Sequence, residues 1–251
     1  MKRLALIIGY PGEDGDDDYL EGVNGDMLAW KNFLSSPMAG KWNISEIKLM
    51  LQPSAASLNS EIEKHKNNVD YALLVFTGHG GYSAARSDTV LQLNKNETFD
   101  SKNLNVAKKQ TVILDCCRKE VEQVIRKSVG MELFESASQS DFPNPQFARA
   151  AFETEIKNCD NGIIIIHSCN IGEYAYDDEF GRGGRYTFSL LNAAMKWRHD
   201  KTLQPNHYAV LSVPAAHNNA VEALSTDGRY EQTPRIAKAR SGPYFPFCVW
   251  V

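Results

Sequence analysis

Short apolar runs, each closed by glycine or a polar residue, alternate along this chain with segments whose apolar residues recur at helical spacing. Leu4 to Tyr10, Ile47 to Leu51, Tyr71 to Gly78, Thr111 to Cys117, Gly162 to Cys169 and Phe245 to Val251 read as strands. Asp26 to Leu34, Ser57 to Lys66, about Pro145 to Lys157 and Tyr186 to Trp197 read as helices, the second with a polar face and the last with an apolar one. Such alternation predicts an α/β fold, a mostly parallel central sheet whose right-handed crossovers lay helices on both faces. No internal repeat or low-complexity segment interrupts it, and the least structured stretch is Ser128 to Pro145.

Two of the strand-like runs end in residues able to do nucleophilic chemistry. Tyr71 to Gly78 runs into His79-Gly80-Gly81, and Thr111 to Leu114 runs into Asp115-Cys116-Cys117-Arg118. In open α/β sheets ligands bind at the carboxyl ends of strands. Neighbouring strands lie about 4.8 Å apart, so an imidazole and a thiol at matching ends come within reach of one another. The alternation of side chains puts Val112, Leu114 and Cys116 on one face and Ile113, Asp115 and Cys117 on the other. Cys116 thus continues an apolar face and belongs to the core, while Cys117 shares a face with a carboxylate. A thiol of ordinary pKa about 8.5 is only a few per cent ionised at neutral pH, which is why a nearby imidazole matters to its reactivity.

Composition narrows the class. At 251 residues and 43% hydrophobic content the chain has material for one large core or two small ones. The net charge of −4 argues against a nucleic-acid binder. The start Met1 to Tyr10 superficially resembles a signal peptide, but its apolar run is short and leads into Glu13-Asp-Gly-Asp-Asp-Asp18 without a small-residue cleavage site, so a first buried strand is the better reading. No stretch approaches the length that spans a bilayer, and the odd number of five cysteines suits free thiols in a reducing compartment, so a cytoplasmic protein is expected.

Taken in order, these motifs resemble the caspase-like cysteine proteases, the superfamily of caspases, metacaspases and their bacterial relatives. Gly78-His79-Gly80 is similar to that family's histidine motif, and Asp115-Cys116-Cys117-Arg118 resembles both the caspase Gln-Ala-Cys-Arg and the metacaspase Asp-x-Cys patterns. Leu4 to Tyr10 followed by Leu20 to Asp26 looks like the family's first strand and the loop and helix start after it. Ile163 to Cys169, Gly172 to Tyr176 and Gly183 to Phe188 look like the strand, loop and helix of its second half. The resemblance implies a caspase-like three-layer sandwich over a single domain, 1–251, with a linker-like region at about 118–145 between its halves.

It also implies a cysteine endopeptidase with Cys117 as nucleophile, His79 as its acid–base partner, and the backbone N–H groups of Gly80 and Cys117 as the oxyanion hole. In metacaspases an Asp at the position of Asp115 selects Arg or Lys before the scissile bond, which makes a protein or peptide with a basic residue there the expected substrate. The competing reading of Asp115 is a strand-end cap or an ion pair with Arg118. Glu173 and Asp177, in an acidic and aromatic loop, are further substrate-binding candidates, against the plain alternative of a solvated acidic loop. No metal or cofactor is expected. His167 and Cys169 share a strand face, yet adjacent cysteines chelate zinc poorly, and Glu13 to Asp18 lacks the spacing of a calcium loop, so calcium activation stays open without assignable residues. An effector protease of a bacterial stress or antiphage system, activated by a protein in trans, is the expected setting; a catalytically silent binding scaffold is the alternative. Arg126, Lys127, Arg149 and Lys157 are the sites at which such an enzyme could process itself, unless the interval is an ordinary surface insertion.

Overall fold

The computed structural model describes residues 1–120, 144–178, 183–199, 207–226, 228, 230–239 and 241–251. Its strands are β1 (Arg3–Tyr10), β2 (Ile47–Leu51), β3 (Tyr71–Gly78), β4 (Gly80–Ser83), β5 (Asp88–Asn94), β6 (Glu97–Asp100), β7 (Lys109–Asp115), β8 (Gly162–His167), β9 (Ala209–Ser212), β10 (Arg235–Ala237) and β11 (Pro246–Trp250). Its helices are α1 (Gly22–Ser35), α2 (Ala55–His65), α3 (Pro145–Asn158), α4 (Arg185–His199) and α5 (Val213–Ser225).

Six strands make the central sheet in the order β10-β8-β7-β3-β1-β2, all parallel except β10, which runs antiparallel to β8. Every residue of β1 and β3 is buried, because helices or hairpins cover both faces. On one face Ala5, Ile7, Leu73, Val75 and Ile113 pack with Trp30 of α1, Phe152 of α3, Leu190 of α4 and Ala216 of α5. On the other, Leu6, Ile8, Leu74, Val112 and Leu114 meet Leu58 and Ile62 of α2 and Leu91, Leu93 and Phe99 of the β4-β5-β6 meander. Each large apolar side chain buried in these layers contributes about 1.5–3 kcal/mol before entropy is counted.

α3 is fastened to the first strand by charge. The Arg3 guanidinium lies buried 4.4 Å from the Trp42 ring, and Glu46 receives both it and a bidentate pair from Arg149 at 2.7 and 2.8 Å. Arg149 also meets Glu153 one turn on, at 3.0 Å. Arg149 is half-buried and Lys157 exposed, but neither is an extended cleavage position: both belong to α3, and the Ile156 and Lys157 carbonyls accept from Lys109 Nζ. Arg126 and Lys127 lie outside the described residues. Among the described residues no helix is long and apolar enough to cross a membrane.

Candidate active site

Strand register sets the geometry. β3 and β7 are neighbours with Thr77 opposite Asp115, and His79 and Cys117 each follow two residues later, at matching carboxyl ends. Gly78, between Thr77 and His79, has φ +135°, and a Cβ there would overlap the Tyr10 carbonyl, so only glycine lets β3 pass β1 before the imidazole.

His79 is almost wholly buried and meets Tyr10 edge-on at 5.8 Å. Its Nε2 lies 2.8 Å from the Asp18 carbonyl and 3.2 Å from that of Pro11. Carbonyls only accept, so Nε2 carries a proton, and in the neutral ring Nδ1 is the nitrogen that can take one. Cys117 is completely buried and packs with Cys169, Ala175 and Tyr174. The Ala175 N–H donates to its sulfur at 3.2 Å, and the thiol lies 3.7 Å from the Ala175 carbonyl. Cys116 points the other way, into the layer of Val112 and Leu114, where its sulfur fills the space a side chain at Gly80 would need.

Asp115, also buried, accepts from the Thr187 N–H at 2.9 Å and the Thr187 hydroxyl at 2.7 Å, both in the first turn of α4. Arg118 is turned away from it, donating through Nε to Thr89 at 3.1 Å. Beside Asp115 stands a second carboxylate that sequence reasoning missed. Asp26 of α1 is fully buried, accepts from the Thr77 hydroxyl at 2.7 Å and from the Gly184 N–H at 3.1 Å. Burial first, and then the charge of Asp115, hold its carboxyl well above the usual range, only partly offset by the bonds from Thr77 and Gly184. The Gly183-Gly184 pair leaves room for both: a Cβ on Gly183 would overlap Asp26, and one on Gly184 would crowd Asp115.

Asp115 sits at a small cavity. Thr77, Asp115, Tyr176, Asp177 and Gly184 line it with Leu20, Val23, Gly78 and Ala175, and its volume is about 10 Å³, room for about one water. Asp177 is thus at this cavity. Glu173 is not among its lining residues: its carboxylate receives the N–H groups of Asn170 at 3.0 Å and Thr233 at 2.7 Å, so it ties the loop after β8 to the chain before β10. Cys169 turns its thiol to the carbonyls of Cys116 and Glu173, and His167, pushed down to about 3 by burial and by Arg118, leaves Nδ1 buried without a partner.

The family model for the caspase domain matches residues 2–244. A search of the curated proteins gave no match. Among solved structures, the chain is similar to the crystal structure of caspase-1 from Spodoptera frugiperda, with a TM-score of 0.57 and 11% identity over 94% of this chain and 88% of that one. The fold is caspase-like, and the chain belongs to the caspase-domain family.

Proposed function

We propose that this protein is a cysteine endopeptidase that cuts after Arg or Lys. The observation that carries the reading is the placement of His79 and Cys117 at matching ends of adjacent parallel strands, with Nε2 of the imidazole tied to two carbonyls, so that Nδ1 is the nitrogen able to exchange a proton. Cys117 would lose its proton to His79 and attack the scissile carbonyl; the imidazolium would then protonate the leaving amine, and water, activated by the same imidazole, would release the acid from the thioester. The backbone N–H groups of Gly80 and Cys117 are assigned to the oxyanion, a role in which each donor typically contributes about 2.7–4 kcal/mol.

Preference for a basic residue is supported by the carboxylates of Asp115 and Asp177 at one cavity, with Asp26 accepting from the N–H of Gly184 in its wall. A guanidinium there would meet charge rather than an apolar wall, and would restore to Asp26 the charged form that burial disfavours. Glu173 is left out of this pocket, since its carboxylate is used by backbone. All five cysteines are free thiols, which suits a reducing cytoplasm. A positional peptide library on the purified protein tests the reading together with an Arg-directed covalent probe: cleavage after Arg or Lys and labelling of Cys117 support it, whereas cleavage after Asp, or a probe that labels another residue, overturns it.

A further inference from the structure

The nucleophile assigned above cannot be reached in this structure: Cys117 is completely buried, and the neighbouring cavity holds about 10 Å³. The obstruction is specific. Both backbone polar groups of Ala175 face the Cys117 sulfur, the N–H at 3.2 Å and the carbonyl at 3.7 Å. A peptide drawn along this edge would need those same groups for its own backbone, as extended peptides do when they add to an exposed strand. Resting on Cys117 as the nucleophile, we propose that residues 170–178 are an autoinhibitory strap and that residues 230–233 are its latch, so that the enzyme turns on when 230–233 is drawn away from the strap.

The latch is built from side chains of one segment onto the backbone of the other. Gln232 donates through Nε2 to the Ser168 carbonyl, just before the strap, at 3.0 Å and accepts the Tyr176 N–H near its far end through Oε1 at 3.4 Å. In the reverse direction Glu173 of the strap holds the Thr233 N–H at 2.7 Å. Tyr230 packs against Tyr176 with tilted rings, centroids 4.9 Å apart, and the Arg185 guanidinium lies 4.3 Å from the Tyr230 ring. On its inner side the strap is held by the Arg118 N–H to the Glu173 carbonyl, the Gly172 N–H to the Arg118 carbonyl and the Ala175 N–H to the Cys117 sulfur, and its end is tied by the Arg185 N–H to Tyr176 and the Asp178 N–H to Gly183. The strap is therefore tied at one side to the strand that carries the nucleophile and at the other to a segment on the far edge of the sheet. A partner that competes for Gln232 and Thr233 loosens the strap without touching the sheet.

The test reads thiol access rather than peptidase activity. Wild type, Gln232→Glu and Gln232→Ala are treated with iodoacetamide, and labelling of each cysteine is followed by peptide mass. Gln232→Glu keeps the acceptor for Tyr176 and loses the donor to Ser168, while Gln232→Ala loses both. The expected order of Cys117 labelling is wild type, then Gln232→Glu, then Gln232→Ala, with the last roughly five- to tenfold above wild type for about one net hydrogen bond. Cys248, buried in the sheet of β9 and β11, reports global loosening and should stay unlabelled. Equal Cys117 labelling in all three proteins overturns the latch, as does labelling of Cys248 in step with Cys117. Faster Cys117 labelling with no peptidase activity in any variant supports the strap and sinks the protease reading, which keeps the two failures apart.

Discussion

Asp115→Asn is the substitution that isolates charge in the proposed pocket. Asparagine has the same shape, and its Oδ1 can still accept from the Thr187 N–H and hydroxyl that hold Asp115 at the start of α4, so the fold is expected to survive. What it removes is the negative charge toward a substrate cation in a site that excludes water. Breaking one side of a buried ion pair commonly costs about 3–5 kcal/mol, which corresponds to roughly two to three and a half orders of magnitude in kcat/KM. The second carboxylate moderates this. With Asp26 3.1 Å from Gly184 and its ionised form disfavoured in part by Asp115, removing the Asp115 charge makes Asp26 easier to ionise, so Asp26 would replace part of the lost attraction. The loss from Asp115→Asn alone should then fall toward the lower end of the range, and Asp26→Asn with Asp115→Asn should cost more than the two single losses combined. The assay compares fluorogenic peptides that differ only in Arg or citrulline before the cut, since citrulline keeps the shape of Arg without its charge. Asp115→Asn should lower kcat/KM on the Arg peptide at least tenfold more than on the citrulline peptide. Equal losses on both would refute the electrostatic argument. The pH dependence has a definite sign: a bound cation favours ionised Asp26, so binding releases a proton, and preference for Arg over citrulline should rise with pH up to the raised pKa of Asp26 and level off above it.

Cys117→Ala and His79→Ala should each abolish peptide cleavage with the circular dichroism spectrum kept, whereas Cys116→Ala, on the core face, should retain most activity and lose stability in a thermal melt. Gly78→Ala forces a Cβ onto the Tyr10 carbonyl beside His79 and should unfold at lower denaturant than wild type, as read by a urea titration. Folding stability should fall as pH drops below about 6.5, because His167 and His217, pushed down to about 3 and about 4 by burial, stay neutral in the fold while the unfolded chain binds protons. The fall should level off below those folded values as far as these residues contribute, and His167→Phe should make the urea midpoint less pH-dependent between pH 6 and 4. On incubation, no fragment ending at Arg149 should appear by intact mass, since its guanidinium and helix are held by Glu46 and Glu153.

The parts of the fold that can be read from the chain are those made of continuous apolar runs. β1, β3, β7 and β8 are apolar on both faces and stand out as continuous runs, and their order along the chain with intervening helices already implies parallel pairing. Elements supported by neighbours rather than by their own composition escape notice. β10 is three residues, Arg-Ile-Ala, and is a strand only because β8 offers it an open edge. The β4-β5-β6 meander is short, glycine-rich at its start and mixed in polarity, and it forms because Leu91, Leu93 and Phe99 close the face left open above Leu6 and Leu74. α5 had a usable signal, Ser212 as N-cap with Pro214 just inside the helix, but its small apolar residues make a weak stripe.

The site divides along the same line. His79, Cys117 and Asp115 are legible because strand ends carry them and alternation tells Cys116 from Cys117, a distinction that the opposite layers of the structure match. Asp26 is not legible, because it sits among Met27, Trp30 and Phe33 on the buried face of α1, where pattern reading looks for apolar residues and passes over the one carboxylate in the stripe. A charged residue on the core side of an amphipathic helix costs stability unless something meets it, so its presence there is itself a signal, and the something is Thr77, Gly184 and the neighbouring Asp115. The obstruction over Cys117 has no sequence signal at all. It is made by the peptide groups of Ala175, which every residue possesses, and by Gln232 and Glu173 acting on other peptide groups. Sequence pattern therefore locates the side chains that do chemistry, while control of access, being written in backbone, emerges only when the folded chain shows which N–H faces the sulfur.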